Sequence, residues 1–257
     1  MSLLQRLSPR SRKRGSRRST LDGAAVRDEA FRILRSNVLV ALSDLANPVV
    51  VVTSTQSGEG KTSTCAALAR SLAESGKRVV LVDVDLRKPE AHRLLHAHNE
   101  VGMVDVLTRR AELGDCLQFL PVGEGRGLYF LAAGSRAENP TELLGTRQTA
   151  ELLNLLALQA DVVLLDTPPV LPVADTLVIG RLAAGAILVV EAGRTPVPSV
   201  LQTKAALTRN QTRLLGVVLN RCDVRDSPLG YGYDYRGDER TATTTDDAAD
   251  RRPEGDA

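Results

Sequence analysis

Short runs of consecutive apolar residues recur along the chain and alternate with longer segments of helical periodicity. Such runs are typical of strands that are buried on both faces of a parallel sheet. The predicted strands cover residues 49–52, 79–82, 162–165, 187–190 and 215–219. The predicted helices cover residues 61–75, 90–97, 139–160 (as one or two helices), 173–183 and 197–209. This alternation predicts an α/β fold with a mainly parallel sheet flanked by helices.

Two further features complete the predicted domain. A helix is expected over residues 22–45, ending before Pro48, because its apolar residues recur at helical spacing. These residues are Phe31, Leu34, Val38 and Leu42. Residues 117–121 and 128–132 are expected to form an additional pair of strands. The predicted elements therefore account for most of the chain up to residue 222.

The composition is typical of a globular protein. Of the 257 residues, 43% are hydrophobic and 25% are charged, which excludes disorder over the whole chain, collagen and coiled coil. The three cysteines are odd in number and scattered, which argues against a disulfide framework and favours a reducing compartment. No apolar run approaches the roughly 18–20 residues that a membrane helix needs, and no secretory signal is recognised. We therefore expect a soluble intracellular protein.

Charge divides the chain into three parts. Residues 1–20 carry seven basic side chains and no acid, and we expect this segment to be disordered. Residues 21–222 form the predicted folded domain, with 21 basic and 21 acidic residues. Residues 223–257 carry ten acids and five arginines without apolar periodicity, and are also expected to be disordered. The basic segment could contact an anionic membrane face or be a solvated segment without a partner. The neutral domain does not predict a nucleic-acid partner.

The first predicted sheet strand leads into a glycine-containing loop and then a helix. We call residues 53–62, Thr-Ser-Thr-Gln-Ser-Gly-Glu-Gly-Lys-Thr, the phosphate loop. Its backbone amides and the helix N-terminus can bind phosphate, Lys61 can reach the β and γ phosphates, and Thr62 can hold Mg²⁺. Thr55 stands where this kind of loop usually has its first glycine. The expected nucleotide-binding residues are Ser57, Gly58, Glu59, Gly60, Lys61, Thr62 and Ser63.

Acidic residues follow two of the later strands. Asp83 and Asp85 lie at the end of the second sheet strand, and Asp166 lies at the end of the strand over 162–165. Ligands of α/β sheets bind at the carboxyl ends of the strands. The three acids together with Thr62 therefore predict a site for a divalent metal and phosphate, with Mg·ATP as its ligand. Within it, Thr62, Asp85 and Asp166 are the expected metal-binding residues.

The combination of motifs resembles the bacterial tyrosine kinase family of capsule and exopolysaccharide biosynthesis, within the MinD/ParA-like P-loop group. The phosphate loop is similar to its Walker A motif. Residues 83–87, which we call the A′ segment, match its Walker A′ pattern DxDxR with Asp83, Asp85 and Arg87. Residues 166–169 match its Walker B ending DxPP, and residues 139–144 are also similar. The resemblance covers about residues 25–222.

The resemblance implies an ATP-dependent protein-tyrosine autokinase that controls capsule or exopolysaccharide polymerisation and export. Lys61, Asp83, Asp85, Arg87 and Asp166 are then the catalytic candidates. Asp83 would orient or deprotonate the incoming tyrosine, and Arg87 would be a second cation facing phosphate. In related P-loop proteins an Asn at the position of Asn220 contacts adenine; a simple turn residue at the strand end is the alternative interpretation.

The resemblance also implies partners. Glu29, Arg32 and Arg35 match the family's oligomerisation motif, so we expect a homo-oligomer, with a ring as its closed form. The residues alone are equally consistent with an ordinary charged helix surface. A membrane-spanning polysaccharide co-polymerase is implied as an adaptor, which would place a cytoplasmic kinase at the inner face of the membrane.

The alternative is a MinD/ParA-type ATPase that acts in membrane or chromosome positioning. Such proteins carry a signature lysine five positions before the P-loop lysine, where this chain has Gln56. A cluster of tyrosines near the C-terminus further favours the kinase. Tyr231, Tyr233 and Tyr235 account for three of the four tyrosines in the chain, and the family resemblance implies that they are phosphorylated by a neighbouring subunit. An aromatic patch for a partner protein is the other interpretation of this cluster.

Overall fold

The protein is described by a computed structural model that covers residues 16–123 and 125–222, with side-chain surroundings from residue 24 onward. The described strands are β1 (Val49–Ser54), β2 (Val79–Asp83), β3 (Leu117–Gly123), β4 (Arg126–Leu131), β5 (Val162–Asp166), β6 (Gly185–Glu191) and β7 (Leu214–Asn220). The described helices are α1 (Ser16–Leu42), α2 (Lys61–Glu74), α3 (Ala91–Leu95), α4 (Met103–Leu107), α5 (Leu113–Cys116), α6 (Pro140–Leu144), α7 (Arg147–Gln159), α8 (Asp175–Gly180) and α9 (Val197–Arg209).

The seven strands form one sheet in the order β3-β4-β2-β5-β1-β6-β7. Every neighbouring pair is parallel except β3 with β4, which is antiparallel. The predicted α/β fold and the predicted strand pair are thus confirmed. The strand order places β5 between β1 and β2, so the carboxyl ends of these three strands meet at the centre of the sheet.

Two apolar cores cover the two faces of the sheet. Alternate residues of β1 divide between them: Val49 and Val51 belong to one core, and Val50 and Val52 to the other. Helices α4, α7, α8 and α9 contribute to the first core, and α1 and α2 to the second. Every residue of β1 is buried, and each fully buried valine contributes about 1.5–3 kcal/mol of transfer free energy. This burial on both faces explains the unbroken apolar run in the sequence.

The structure differs from the sequence-based prediction in a few places. Helix α1 begins at Ser16, so its first five residues belong to the segment that we expected to be disordered. The short helices α4 and α5 were not predicted. The predicted helical stretch over 139–160 is two helices, separated between Leu144 and Arg147. No helix among the described residues is long and apolar enough to span a membrane.

Candidate active site

The site forms where β1, β5 and β2 end side by side. Val52 of β1 is paired in register with Asp166 of β5, and Asp166 is paired with Asp83 of β2. The backbone amide of Val84 donates a hydrogen bond of 2.8 Å to the carbonyl oxygen of Asp166. The sheet register therefore brings together the phosphate loop and the acids that the sequence predicted.

Two glycines give the phosphate loop its shape. Gly58 and Gly60 have φ angles of +88° and +91°, a region that residues with a side chain rarely adopt. At Gly60 a Cβ would also lie 2.1 Å from Nδ2 of Asn220, so a larger residue would have to displace that side chain. Gly60 is the N-cap of α2, and Lys61 is the first residue of that helix. The exposed turn of the loop, Gln56 to Gly58, is open to a ligand, with the helix N-terminus beside it.

Lys61 lies between two of the predicted acids. Its Nζ is 3.3 Å from Oδ2 of Asp85 and 3.7 Å from Oδ1 of Asp166, and it donates a hydrogen bond of 3.1 Å to Oγ1 of Thr62. Burial by itself lowers the pKa of Lys61, but the attraction of Asp166 and Asp85 outweighs burial and raises it. The side chain is therefore a cation at the centre of the site.

The two innermost carboxyl groups bind protons more tightly than usual. Burial, and then the negative charge of Asp166, raises the pKa of Asp83 to about 8. Burial also raises the pKa of Asp166 to about 6, against the opposing effect of Lys61. Asp83 is fully enclosed, and its two oxygens accept hydrogen bonds from the backbone amides of Asp85 (3.2 Å) and Ala91 (3.1 Å). Each oxygen could accept a second hydrogen bond, but Asp83 has no exposed surface, so an incoming hydroxyl could reach it only after the surrounding residues move.

The donor set suits magnesium bound together with phosphate. Oδ1 of Asp166 is buried and accepts no hydrogen bond. The neighbouring oxygen atoms that could bind a metal ion belong to the Asp85 carboxylate and the Thr62 hydroxyl. In the described part of the chain, no group of three or more His, Cys, Asp or Glu residues is arranged to hold a metal ion alone. Thr62, Asp85 and Asp166 therefore stay the predicted metal-binding residues. Magnesium commonly uses one or two carboxylates and completes its octahedron with water and phosphate oxygens.

Arg87 is paired with a buried carboxylate outside the predicted site residues. Its Nε and Nη2 donate hydrogen bonds of 2.7 and 3.0 Å to the two carboxylate oxygens of Asp175, and Nη2 also donates to Oγ1 of Thr141 at 2.9 Å. Asp175 is fully buried at the start of α8 and accepts a further hydrogen bond from the hydroxyl of Thr141. Arg87 therefore links the A′ segment to α6 and α8, and its contact with phosphate stays a prediction.

Glu59 has a role that the sequence did not reveal. Its Oε2 accepts hydrogen bonds from the backbone amides of Thr55 (2.7 Å) and Gln56 (3.0 Å), and its Oε1 accepts one from the hydroxyl of Thr195. Asn220 donates from Nδ2 to the carbonyl oxygen of Glu59 at 2.9 Å. Asn220, expected near adenine, thus contacts the phosphate loop itself. Nothing in the local sequence links Glu59 to a threonine 136 positions away.

The expected oligomerisation residues separate into two kinds. Glu29 and Arg32 form an exposed ion pair of 2.8 Å on one turn of α1. Arg35 instead donates from Nη1 to the carbonyl oxygen of Ser71 at 2.9 Å, which joins α1 to α2 within the chain. Beside them lies a groove of about 590 Å³ between α1, α2 and the end of β7. The arginines that line it are Arg27, Arg32, Arg35, Arg70 and Arg221.

The expected phosphate acceptors Tyr231, Tyr233 and Tyr235 lie outside the described residues. The fourth tyrosine, Tyr129, is described: it is half-exposed on β4, and its ring makes an edge-to-face contact with Phe119. Tyr129 therefore serves as a control tyrosine within the folded domain, whose phosphorylation can be compared with that of Tyr231, Tyr233 and Tyr235.

Comparison with known proteins assigns the chain to a family. Residues 50–231 match the family described as the CobQ/CobB/MinD/ParA nucleotide binding domain. The tyrosine-protein kinase YwqD of Bacillus subtilis is 35% identical over 196 residues, which cover 76% of this chain and 81% of the relative. The putative tyrosine-protein kinase AmsA of Erwinia amylovora is 35% identical over 206 residues, 80% of this chain but 28% of the relative. The chain thus spans less than a third of that longer protein.

The solved structures agree. The kinase domain of the Escherichia coli tyrosine kinase ETK superimposes with a TM-score of 0.71 at 30% identity, covering 76% of this chain and 77% of that one. The chain therefore belongs to the bacterial tyrosine kinase family, within the CobQ/CobB/MinD/ParA group of nucleotide-binding domains.

Proposed function

We propose that this chain is an ATP-dependent protein-tyrosine autokinase that transfers the γ-phosphoryl group of Mg·ATP to tyrosine hydroxyls in the C-terminal cluster of a neighbouring subunit. The observation that carries this proposal is the position of Lys61, a partly buried cation between Asp85 and Asp166 at the mouth of the phosphate loop. The similarity to YwqD and to the ETK kinase domain supports tyrosine as the acceptor.

Nucleotide binding would rely on groups that the fold already presents. The backbone amides from Gly58 to Thr62 would surround the phosphates, with the N-terminus of α2 behind them. Lys61 would leave its carboxylate partners in part and stabilise charge on the β and γ phosphates, where phosphoryl transfer concentrates it. Thr62, Asp85 and Asp166 would hold Mg²⁺ directly or through water. When bound, that ion would neutralise phosphate charge and orient the γ-phosphoryl group.

Asp83 remains the candidate for orienting or deprotonating the tyrosine. Its pKa of about 8 lies close to neutral pH, where a general base works best. Because Asp83 has no exposed surface, reaching the hydroxyl requires a movement of the residues that cover its carboxylate. We assign Arg87 the supporting task of fixing the A′ segment, because its Nε and Nη2 both bind the Asp175 carboxylate.

The proposal includes partners that follow from the family resemblance. Subunits would associate through the helix surface of Glu29 and Arg32 into a ring, so that one subunit's tyrosines reach the next subunit's site. A membrane-spanning polysaccharide co-polymerase would activate the kinase and hold it at the inner face of the cell membrane, with residues 1–20 in contact with anionic lipid. The process controlled would be polymerisation and export of capsule or exopolysaccharide.

Phosphosite mass spectrometry of the purified full chain, incubated with Mg·ATP, tests this function. Incubations with and without the cytosolic part of the adaptor, and with Lys61→Ala, complete the design. We expect phosphate on Tyr231, Tyr233 or Tyr235 that is absent in Lys61→Ala and unchanged in Tyr129→Phe. ATP hydrolysis without phosphotyrosine, even with adaptor present, would overturn the kinase in favour of a MinD/ParA-type ATPase switch.

A further inference from the structure

An acidic residue inside a loop that binds polyphosphate requires a physical explanation. Glu59 lies two residues before Lys61, within the loop whose amides would contact the phosphates. A carboxylate that pointed toward a bound nucleotide would repel it and weaken binding. The Glu59 side chain avoids this position, because the residue is only 5% exposed and its carboxylate is enclosed by the protein.

The surroundings of the Glu59 carboxylate are hydrogen-bond donors. Three donors reach its two oxygens: the amides of Thr55 and Gln56 on Oε2, and the hydroxyl of Thr195 on Oε1. An ionised carboxylate only accepts hydrogen bonds, and bonds from several donors to its charge are stronger than neutral ones. The amides of Thr55 and Gln56 are thereby turned toward Glu59, so they are not available to the phosphates.

Thr195 is itself held in one orientation. Its Oγ1 accepts a hydrogen bond of 3.0 Å from the amide of Glu191, the last residue of β6. A hydroxyl has a single proton, and here that proton is committed to Glu59. Arg221 binds the Glu191 carboxylate at 2.9 Å, which connects the end of β7 to the same loop. The phosphate loop is therefore linked to the segment between β6 and α9 through one carboxylate.

We infer that Glu59 is a positioning residue for nucleotide binding, and that it acts with Thr195 as one unit. The pair fixes the first half of the phosphate loop, keeps the negative charge of Glu59 away from the phosphates and leaves the amides of Gly58 to Thr62 facing the ligand. The inference rests on the proposed nucleotide site and is independent of the identity of the phosphoryl acceptor.

Four variants of the full chain test this inference. Glu59→Gln replaces one acceptor oxygen by an NH₂ group, which must face either the loop amides or the threonine hydroxyl. Thr195→Val removes the hydroxyl, Thr195→Ser keeps it, and the double variant combines Glu59→Gln with Thr195→Val. Thr203→Val is the matched control, because that buried hydroxyl bonds only within α9, to the carbonyl oxygen of Ser199. The dissociation constant of Mg·ADP is measured by calorimetry beside the melting temperature of each variant.

We expect Glu59→Gln and Thr195→Val each to weaken Mg·ADP binding about tenfold, the effect of one lost hydrogen bond to a charged group. The double variant should also lose only about tenfold in Mg·ADP affinity, because both changes break the same Glu59–Thr195 unit. Thr195→Ser should bind within twofold of the unaltered chain, and Thr203→Val should lower only the melting temperature. At saturating ATP the rate of phosphotyrosine formation should change less than the apparent affinity for ATP.

Dissociation constants within twofold of the unaltered chain, combined with lower melting temperatures, would overturn the inference and leave Glu59 a purely structural residue. Fully additive losses in the double variant would overturn the coupling with Thr195. An unaltered chain that fails to bind Mg·ADP would overturn the inference and the nucleotide site together. If the variants show the expected Mg·ADP dissociation constants but the unaltered chain forms no phosphotyrosine, the inference holds and only the proposed kinase activity is overturned.

Discussion

Arg87 binds the buried carboxylate of Asp175 through two nearly parallel hydrogen bonds of 2.7 and 3.0 Å. The two residues are 88 positions apart in the chain, and the pair joins the A′ segment to the start of α8. Bidentate pairs of this kind fix both distance and orientation. The A′ segment carries Asp83 and Asp85, so the pair has a direct effect on the geometry of the site.

Replacing Arg87 should therefore destabilise the fold as well as the site. Arg87→Ala leaves a buried carboxylate with Thr141 as its remaining side-chain partner. Breaking a fully buried ion pair costs about 3–5 kcal/mol, and we expect about 2 kcal/mol here because the Arg87 side chain is 40% exposed. Arg87→Lys keeps the positive charge but cannot form two parallel hydrogen bonds to the carboxylate. It should lower the free energy of unfolding by about half as much as Arg87→Ala. Urea denaturation checks both values, and a change below ~0.5 kcal/mol in Arg87→Ala would contradict this assignment.

The two glycines of the phosphate loop provide a matched comparison. Gly58→Ala should cost about 1 kcal/mol, because its φ of +88° is strained for alanine while no atom lies within 4 Å of the new Cβ. Gly60→Ala adds a collision with the Asn220 side chain and must displace it from the carbonyl oxygen of Glu59. We expect the dissociation constant of Mg·ADP to be at least ten times larger in Gly60→Ala than in Gly58→Ala.

Similar affinities for the two glycine variants would show that Asn220 moves aside without consequence. Asn220→Ala is the control, since it removes the obstructing amide. Adding Asn220→Ala to Gly60→Ala should restore the part of the Mg·ADP affinity that steric overlap removes. The part that is lost to backbone strain at position 60 should not be restored.

The three residues of the oligomerisation motif make different contacts, so their effects on assembly and on stability can be measured separately. The Glu29→Ala, Arg32→Ala double variant removes only an exposed pair, which contributes about 0–1 kcal/mol to stability. We expect its mass in light scattering to fall to that of a monomer with an almost unchanged melting temperature. Arg35→Ala should instead lower the melting temperature, because it loses the bond from α1 to the carbonyl oxygen of Ser71. An unchanged mass for the double variant would remove these two residues from the interface.

Much of the architecture could be predicted because it is encoded locally. Unbroken apolar runs identified the strands, and the residues that follow β1, β2 and β5 identified the phosphate loop and the acids. Lys61, Asp85 and Asp166 do converge, since parallel strands present their carboxyl ends at one edge. The short helices α4 and α5 were missed because four or five residues are too few to show a helical period.

The contacts that position the site residues could not be predicted. Glu59 with Thr195 and Arg87 with Asp175 join residues that are 136 and 88 positions apart, and neither Thr195 nor Asp175 lies in a pattern that marks it. Arg87 matched a motif, but its direction depends on where α8 places Asp175. Pairs of this kind are determined by packing between distant elements, which a single sequence does not display.

The raised pKa of Asp83 predicts an unusual dependence of stability on pH in metal-free protein. The folded-state value is about 8, against an ordinary value of 3.8. Between these values the folded chain holds a proton that the unfolded chain releases, so the free energy of unfolding falls as pH rises. For one group the slope reaches about 1.4 kcal/mol per pH unit. Asp166, with a pKa of about 6, adds to the slope in the lower half of this window.

Asp83→Asn isolates this effect, because asparagine resembles the protonated, neutral side chain. In EDTA-treated protein, Asp83→Asn should be close to the unaltered chain in stability only below the ordinary aspartate pKa of 3.8, and progressively more stable than it toward pH 8. Urea denaturation at several pH values measures the difference. Mg·ADP should flatten the profile of the unaltered chain, since a bound cation favours ionised carboxylates and removes the advantage of the proton. A difference between variant and unaltered chain that does not change from pH 5 to pH 8 would show that burial does not raise the pKa of Asp83.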